Sequence, residues 1–443
     1  MESLFIAFIV LLLVIYYLGL GVWVFAGLLL VSTTGLVFLI DMPLDRIGKI
    51  MAPLVIRSAT SWEISAIPMF IWMGELMLRT DMSDRLFRGL SPLTYHLPGR
   101  LLHTNIVGSA LFAAISGSSA ATTATVGKIT ISELGKRGYS KTLTFGSLAG
   151  AGSLGLLIPP SIVMIVCGVL AEDPIARLFA AGVLPGVMIA ALYSGYVIII
   201  SILNSSVAPP DRDKPGLKDA AIGLFNLIPI AMLIFIVLGS IYSGLATPSE
   251  AAAVGVVATM VMVILTGQFT KDVFFSTLVS AVQTSCMIAV ILIAAAFLST
   301  AMGFLHVPQD VAKAIGVMNL SPYALIAILA VFYVLLGMFL EGISITVMSL
   351  PITLPLILAA GFDPIWFGIF LVIMVELAQI TPPIGFNLFI IQGLTGTSIM
   401  KIAVAAAPFF VLMCIGVVLL TVFPEIALRL PNTLFDKYKD CWI

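Results

Sequence analysis

The chain has 443 residues, of which 60% are hydrophobic and 10% are charged, and its mean hydropathy is +1.18. An ordinary soluble domain carries about 25% charged residues, so this composition excludes a soluble globular protein. It predicts an all-α polytopic membrane protein. The net charge of −1 provides no basic surface for nucleic acid. The four cysteines have no metal-binding spacing, and so predict neither a disulfide scaffold nor a zinc site.

Apolar segments long enough to cross about 30 Å of hydrocarbon recur along the chain. Two further apolar segments, 101–127 and 322–358, carry small polar residues at their centres and are predicted to be re-entrant hairpins. The hydrophilic segment 204–221 is predicted to be a cytoplasmic linker, and 424–443 an exposed C-terminal tail. The ten predicted crossings are 4–18, 22–40, 62–79, 142–170, 178–203, 222–241, 250–266, 273–303, 363–391 and 399–423.

The charges that flank 101–127 support the first hairpin. The segments 79–100 and 128–141 hold eight of the 21 basic residues of the chain. Because short basic loops remain in the cytoplasm, both ends of 101–127 are expected on the same side of the membrane. The segment between them would then enter the membrane and return, with its tip at the serine-rich sequence SGSSA.

An internal repeat divides the chain into two halves, 1–203 and 222–423. Each half would contain five crossings and one hairpin, and an odd number of crossings turns the second half upside down relative to the first. Inverted repeats with interrupted helices are typical of secondary transporters. Three features recur at a spacing of 223 residues: Gly138 and Gly361, Pro159-Pro160 and Pro382-Pro383, and Pro185 and Pro408.

Each half pairs a polar hairpin tip with a helix broken by a double proline, at 142–170 and at 363–391. Proline has no N–H, so it frees backbone carbonyls one turn earlier in the helix. Free carbonyls and hydroxyls are ligands for sodium, and helix N-termini attract anions. Each pair is therefore predicted to bind one cation, with the substrate between the two tips. The alternative is that the prolines and small residues only kink and pack membrane helices.

Two carboxylates, Glu341 and Glu376, lie in apolar surroundings. A charged side chain inside a bilayer is costly and usually faces a cavity or a partner. The functional hypothesis is cation coupling or substrate contact. The structural alternative is a buried carboxylate that accepts hydrogen bonds from backbone amides of the adjacent broken helix.

The sequence gives little support for dinucleotide binding, for ATP hydrolysis or for enzyme catalysis. Gly150, Gly152 and Gly155 form a GxGxxG pattern, but they lie in a membrane segment, where close helix packing is the better interpretation. The sequence has no P-loop, so an ion gradient or a separate motor must drive any transport. An intramembrane enzyme remains an alternative, and it would need Ser118 or Ser119 activated by a base.

The sequence contains, in chain order, the motifs SGSSAATTATVG, LGLLIPPS, ATPSEAAAVG, GMFLEG and ITPPIGFNLF. These motifs resemble those of the large membrane subunit of tripartite ATP-independent periplasmic (TRAP) transporters. The resemblance implies a sodium-coupled, elevator-type importer in the bacterial inner membrane, with sodium as coupling ion and no other cofactor. It also implies a separate small four-helix membrane subunit, and a periplasmic binding protein that delivers a small organic anion.

The same resemblance assigns roles to individual residues. Many family members have Asp-Pro where this chain has Glu341-Gly342. The helices of 4–79 and 222–266 would form a fixed scaffold, past which the hairpins and broken helices move. The nearest rival is a stand-alone sodium–dicarboxylate symporter, which a gene neighbourhood without a binding protein would indicate. One implied sodium site comprises Ser116, Ser119, Gly152 and Gly155; the other comprises Gly342, Thr346, Ala378 and Thr381; the implied substrate site comprises Ser118, Glu341 and Asn387.

Overall fold

The structure is a computed structural model that describes residues 9–10, 12–13, 16–17, 20–209, 215–307, 321–383 and 385–435. Within these ranges the chain is helical and forms no strand. Most of the predicted crossing 4–18, part of the linker and the end of the tail lie outside the described residues.

The first half of the described chain forms α1 (Val24–Ile40), α2 (Leu44–Ala59), α3 (Ala66–Leu78), α4 (Met82–Thr94), α5 (Leu102–Ser116), α6 (Ser119–Lys136), α7 (Lys141–Ser153), α8 (Ile162–Ala171) and α9 (Ile175–Leu203). The second half forms α10 (Leu217–Tyr242), α11 (Pro248–Leu265), α12 (Lys271–Phe304), α13 (Pro322–Gly337), α14 (Gly342–Ala359), α15 (Pro364–Gln379), α16 (Phe386–Thr395), α17 (Ile399–Val422) and α18 (Glu425–Phe435).

Six helices in the described part of the chain are long and apolar enough to cross a membrane: α9, α10, α11, α12, α14 and α17. Several shorter apolar helices occur in pairs, as the two arms of a hairpin or the two parts of a broken helix. The expected all-α polytopic membrane fold is confirmed by this architecture.

Both predicted broken helices are interrupted at their double prolines. The first ends as α7 at Ser153, passes through a short 3-10 turn at Leu154–Leu156 and resumes as α8. The second ends as α15 and resumes as α16. Because proline cannot donate to the preceding turn, the helical hydrogen bonding stops before each pair. Both Pro-Pro peptide bonds are cis.

The structure corrects four expectations drawn from the sequence. Helices α2 and α4 occupy stretches that were expected to be loops, because each has charged and apolar residues on opposite faces. The second arm of the first hairpin continues to Lys136 rather than ending at 127, since its last turn is a charged, surface-facing extension of the helix. The start of the tail is not an exposed end, because α18 packs on α9 and buries Ala427 and Pro431.

The two halves exchange equivalent contacts. Helix α6 packs on α7 of its own half and on α16 of the other half, and α14 packs likewise on α15 and α8. Asp173, after the first broken helix, is an electrostatic neighbour of Asp363, at the start of the second. The Leu156 amide, before the first double proline, meets Glu376 near the end of α15, so the two broken helices run in opposite directions. The inverted repeat itself stays a prediction. The membrane orientation of each half and the re-entrance of the hairpins stay predictions.

Candidate cation and substrate site

The tip of the first hairpin is a tight turn between α5 and α6. Gly117 ends α5 with a φ of 59°, a left-handed conformation that favours glycine. Ser118 caps α6 and accepts a hydrogen bond from the Ala121 amide at 3.4 Å. The Gly117 carbonyl accepts a hydrogen bond from the Ile162 amide at 3.3 Å. The tip is thereby fastened to the second part of its own broken helix.

The four residues of the first implied sodium site lie together at this tip. The Ser119 hydroxyl donates to the Gly152 carbonyl oxygen at 3.1 Å. Gly155 lies against the backbone of Ser118 and Ser119, with no room for a side chain. Ser116 is buried beside them, with its hydroxyl in the same turn. Together these groups offer hydroxyl and carbonyl oxygens, the ligand types suited to sodium.

The second implied sodium site has a related construction. Gly337, at the end of the first arm of the second hairpin, lies directly against Ala378 of α15. The Thr346 hydroxyl donates to the Gly342 carbonyl oxygen at 3.0 Å. The Thr381 hydroxyl donates to the carbonyl oxygen of Leu377 at 2.7 Å. Each threonine thus has its hydroxyl at the end of a half-helix, although both currently bond within their own helices.

The residues implied for the substrate do not share one environment. Ser118 and Glu341 occupy the same place in the two halves, as the N-cap residues of α6 and α14, and Glu341 is exposed. Asn387, in contrast, is completely buried and donates to the Ser119 hydroxyl at 2.8 Å. The structure therefore places Asn387 beside Ser119 of the first implied sodium site rather than on a cavity surface.

One residue of this group, Thr123, was missed at the level of the sequence. It follows Ser119 by one helical turn, and its side chain abuts Gly152. Its buried hydroxyl oxygen has no hydrogen-bond partner among the described residues. The 223-residue spacing carries the signal, because it relates Thr123 to Thr346 of the second site.

Glu376 is the buried carboxylate of the site. It is 0% exposed, and its Oε1 accepts a hydrogen bond from the Leu156 amide at 2.6 Å. The structural alternative, a carboxylate that accepts hydrogen bonds from backbone amides, therefore holds for Oε1. The amide, however, belongs to the broken helix of the other half. The second oxygen, Oε2, has no partner among the described residues.

The geometry favours packing over the other kinds of chemistry. Gly150 lies against Phe409 of α17, which accounts for the glycine pattern as close helix contact. The ring of His103, the closest histidine in sequence to the serine tip, is 2.7 Å from the Pro98 carbonyl oxygen. No cluster of His, Cys, Asp and Glu suited to a metal ion occurs among the residues that the structure describes.

Hairpins with polar tips, set on broken helices within an all-helical membrane protein, define the permease of a secondary transporter. The family model of the tripartite ATP-independent periplasmic transporter, DctM component, matches residues 5–426. The chain therefore belongs to this family of large permease subunits.

Individual relatives agree with this assignment. The chain is similar to the C4-dicarboxylate TRAP transporter large permease protein DctM of Pseudomonas aeruginosa, with 32% identity over 85% of this chain and 88% of the relative. It is 30% identical to the ectoine/5-hydroxyectoine TRAP transporter large permease protein UehC of Ruegeria pomeroyi, over 84% of this chain and 86% of the relative. The YdaH transporter of Alcanivorax borkumensis has a similar fold, with a TM-score of 0.61 at 14% identity over 87% and 90% of the two chains.

The family resolves several alternatives. Its members are transporter permeases, so the intramembrane enzyme is excluded. A large permease of this family works with a small membrane subunit and a periplasmic binding protein, unlike a stand-alone symporter. The protein is an integral protein of the inner membrane.

Proposed function

We propose that this permease uses a sodium gradient to import a small organic anion, a carboxylate, that a periplasmic binding protein delivers. The observation that supports sodium coupling is the buried group of oxygens around Ser119. The Ser119 hydroxyl lies 3.1 Å from the Gly152 carbonyl oxygen and 3.2 Å from the side-chain oxygen of Asn387. Small, hard cations prefer such oxygen ligands where helices are interrupted.

The anionic substrate is supported by the direction of the half-helices. Helices α6 and α14 begin at the hairpin tips, with their N-termini at Ser119 and Gly342. The unpaired amides of a helix N-terminus carry partial positive charge and attract anions. The two tips together therefore offer an anion site between the two cation groups.

An elevator movement is the second element of the proposal. The hairpins and broken helices form one packed unit through the exchanged contacts of α6, α16, α14 and α8. The helices of 4–79 and 222–266 would form the scaffold, in which α3 packs on α11. Because each cation group contains parts of several unit helices, the unit must move as one body to keep its ligands together.

Reconstitution tests the proposed function. The purified permease, its small subunit and candidate binding proteins would be placed in proteoliposomes under an inward sodium gradient or a matched potassium gradient. We expect uptake of the organic anion only with a binding protein and sodium. Equal uptake under both gradients would contradict sodium coupling, and uptake without any binding protein would favour the stand-alone symporter.

A further inference from the structure

A single buried carboxylate, Glu376, joins the two halves of the transport unit by a hydrogen bond. Glu376 lies on α15 of the second half and is fully buried. Its Oε1 accepts the amide of Leu156, in the 3-10 turn that interrupts the first broken helix. The repeat spacing of 223 places Ser153 at the equivalent position of the first half. The carboxylate therefore has no counterpart there.

The charge of this carboxylate is not compensated by protein. None of the ion pairs found between the described residues includes Glu376. Its Oε2 is buried without a hydrogen-bond partner among those residues. A buried ion without a partner is strongly destabilising, whereas the same ion beside an opposite charge is tolerated. The site therefore requires either a proton on the carboxyl group or a positive charge beside it.

The neighbours of Glu376 show where that charge would sit. The side chain of Ser119 is a polar neighbour of the carboxylate. The Ser119 hydroxyl in turn contacts the Gly152 backbone carbonyl oxygen at 3.1 Å and the Asn387 side-chain oxygen Oδ1 at 3.2 Å. The carboxylate therefore lies beside a group that is rich in oxygen atoms, the ligand type that small cations prefer, and that contains the Asn387 amide and the Ser119 hydroxyl as donors.

We propose that Glu376 provides the negative charge of the first cation site and is a cation-binding residue of that site. The inference rests on the proposed sodium coupling and extends it to a residue of the opposite half. A cation near Ser119 offsets the buried carboxylate, and the carboxylate in turn raises the affinity for the cation. Because the first half has Ser153 where the second half has Glu376, only one of the two cation sites receives this carboxylate. The two sites therefore differ in charge and hence in affinity.

The decisive variant is Glu376→Gln. Glutamine keeps a side-chain oxygen for the Leu156 amide and nearly the same volume, but it removes the charge. The measurement is the unfolding temperature of the purified permease with its small subunit, titrated with sodium chloride against choline chloride. We expect sodium to stabilise the wild type, and the half-maximal sodium concentration to rise by about tenfold or more in Glu376→Gln.

Two further variants complete the test. Glu75→Gln removes a carboxylate that pairs with Arg79 at 3.5 Å outside the site, and should leave the sodium response at its wild-type value. Glu376→Asp keeps the charge on a shorter arm and should retain a sodium response, which decides the question if Glu376→Gln does not fold. An unchanged sodium midpoint in Glu376→Gln, or loss of the response in a folded Glu376→Asp, would overturn the proposal. A wild type that sodium and choline stabilise equally would instead reject the proposed function itself.

Discussion

The side-chain amide of Asn387 donates to the hydroxyl of Ser119 across 2.8 Å, joining the first hairpin to the second part of the opposite broken helix. Both side chains are buried. The contact connects residues 268 positions apart and brings an amide into a group of hydroxyl and carbonyl oxygens. Asn387 is thereby a structural link between the halves and, in the proposed function, also a neighbour of the first cation site.

Replacing Asn387 should separate these two roles. Asn387→Ala leaves buried polar groups without a partner, so we expect a loss of about 1–3 kcal/mol of stability together with weaker sodium dependence of uptake. Asn105→Ala is the matched control, since Asn105 is also buried and donates to Ser147 at 2.9 Å. It should lower the unfolding temperature only. Equal sodium dependence in both variants would reduce Asn387 to a structural link.

The hydroxyls of the two cation groups can be tested in the same assay. Ser119→Ala and Thr381→Ala each remove one oxygen ligand from a small-cation site. We expect both to raise the sodium concentration for half-maximal uptake by about fivefold or more, the net effect of losing one polar interaction. Thr130→Ala, on the same arm as Ser119, removes a buried hydroxyl that only bonds to the Val126 carbonyl. It should behave as the wild type, and a shift of the same size there would contradict the assignment.

The re-entrance of the first hairpin makes a prediction about topology. Arg88 on α4 and Lys136 at the end of α6 are both exposed. If the hairpin enters and leaves on one side, cysteines at these two positions should react with an impermeant thiol reagent from the cytoplasmic side only. A cysteine at Thr247, which would face the opposite side in the inverted topology, is the control. Labelling of positions 88 and 136 from opposite sides would contradict the inverted repeat.

Cross-links distinguish an elevator from a rocking movement. Helix α4 packs tightly on the scaffold helix α10, where Gly89 meets Gly223, while Leu90 of α4 faces Gly108 of α5. A short bifunctional reagent between cysteines at 90 and 108 should arrest transport, because it ties the unit to the scaffold. Cysteines at Asn105 and Ser147, which join α5 to α7 within the unit, should permit transport when linked. The reverse result would favour rocking.

The pH dependence of stability follows from a carboxyl group outside the spanning segments. Burial, and then the neighbouring Asp363 carboxylate, raise the pKa of Asp173, while Arg177 lowers it. With a raised pKa, the native state keeps the proton that the unfolded chain loses near pH 4, and stability falls as the pH rises. Asp173→Asn should therefore raise the unfolding temperature at pH 7, with a smaller gain near pH 4. An equal gain at both values would contradict this origin, and Asp84→Asn, at an exposed site, is the control.

Local signals in the sequence were sufficient to predict where the broken helices are interrupted and where the hairpin tips lie. The double prolines remove hydrogen-bond donors wherever they occur, and α7 and α15 end just before them. Ser118 and Glu341, matched by the repeat spacing alone, prove to be equivalent N-cap residues. Hydropathy failed for α2 and α4, because a helix with one charged face has an average hydropathy close to that of a loop.

No local signal in the sequence predicted the contacts between the two halves. Nothing in the neighbourhood of Asn387 indicates Ser119 as its partner, since the repeat spacing relates Asn387 to Met164. The bond between Glu376 and the Leu156 amide likewise depends on how two broken helices pack in opposite directions. Such pairs are a property of the tertiary arrangement, whereas Thr123 could have been found through its counterpart Thr346.

The exchange of partners between the halves also constrains the biosynthesis of the protein. Ser119 enters the membrane early in translation, but its partner Asn387 follows 268 residues later. Until then the first hairpin has neither the amide of Asn387 nor the surface of α16 on which α6 packs. Synthesis can insert the first half, but only the nearly finished polypeptide can close its polar interior. A ribosome that stalls in the second half therefore leaves behind a membrane fragment with unpaired polar groups for quality-control proteases, rather than half of a working transporter.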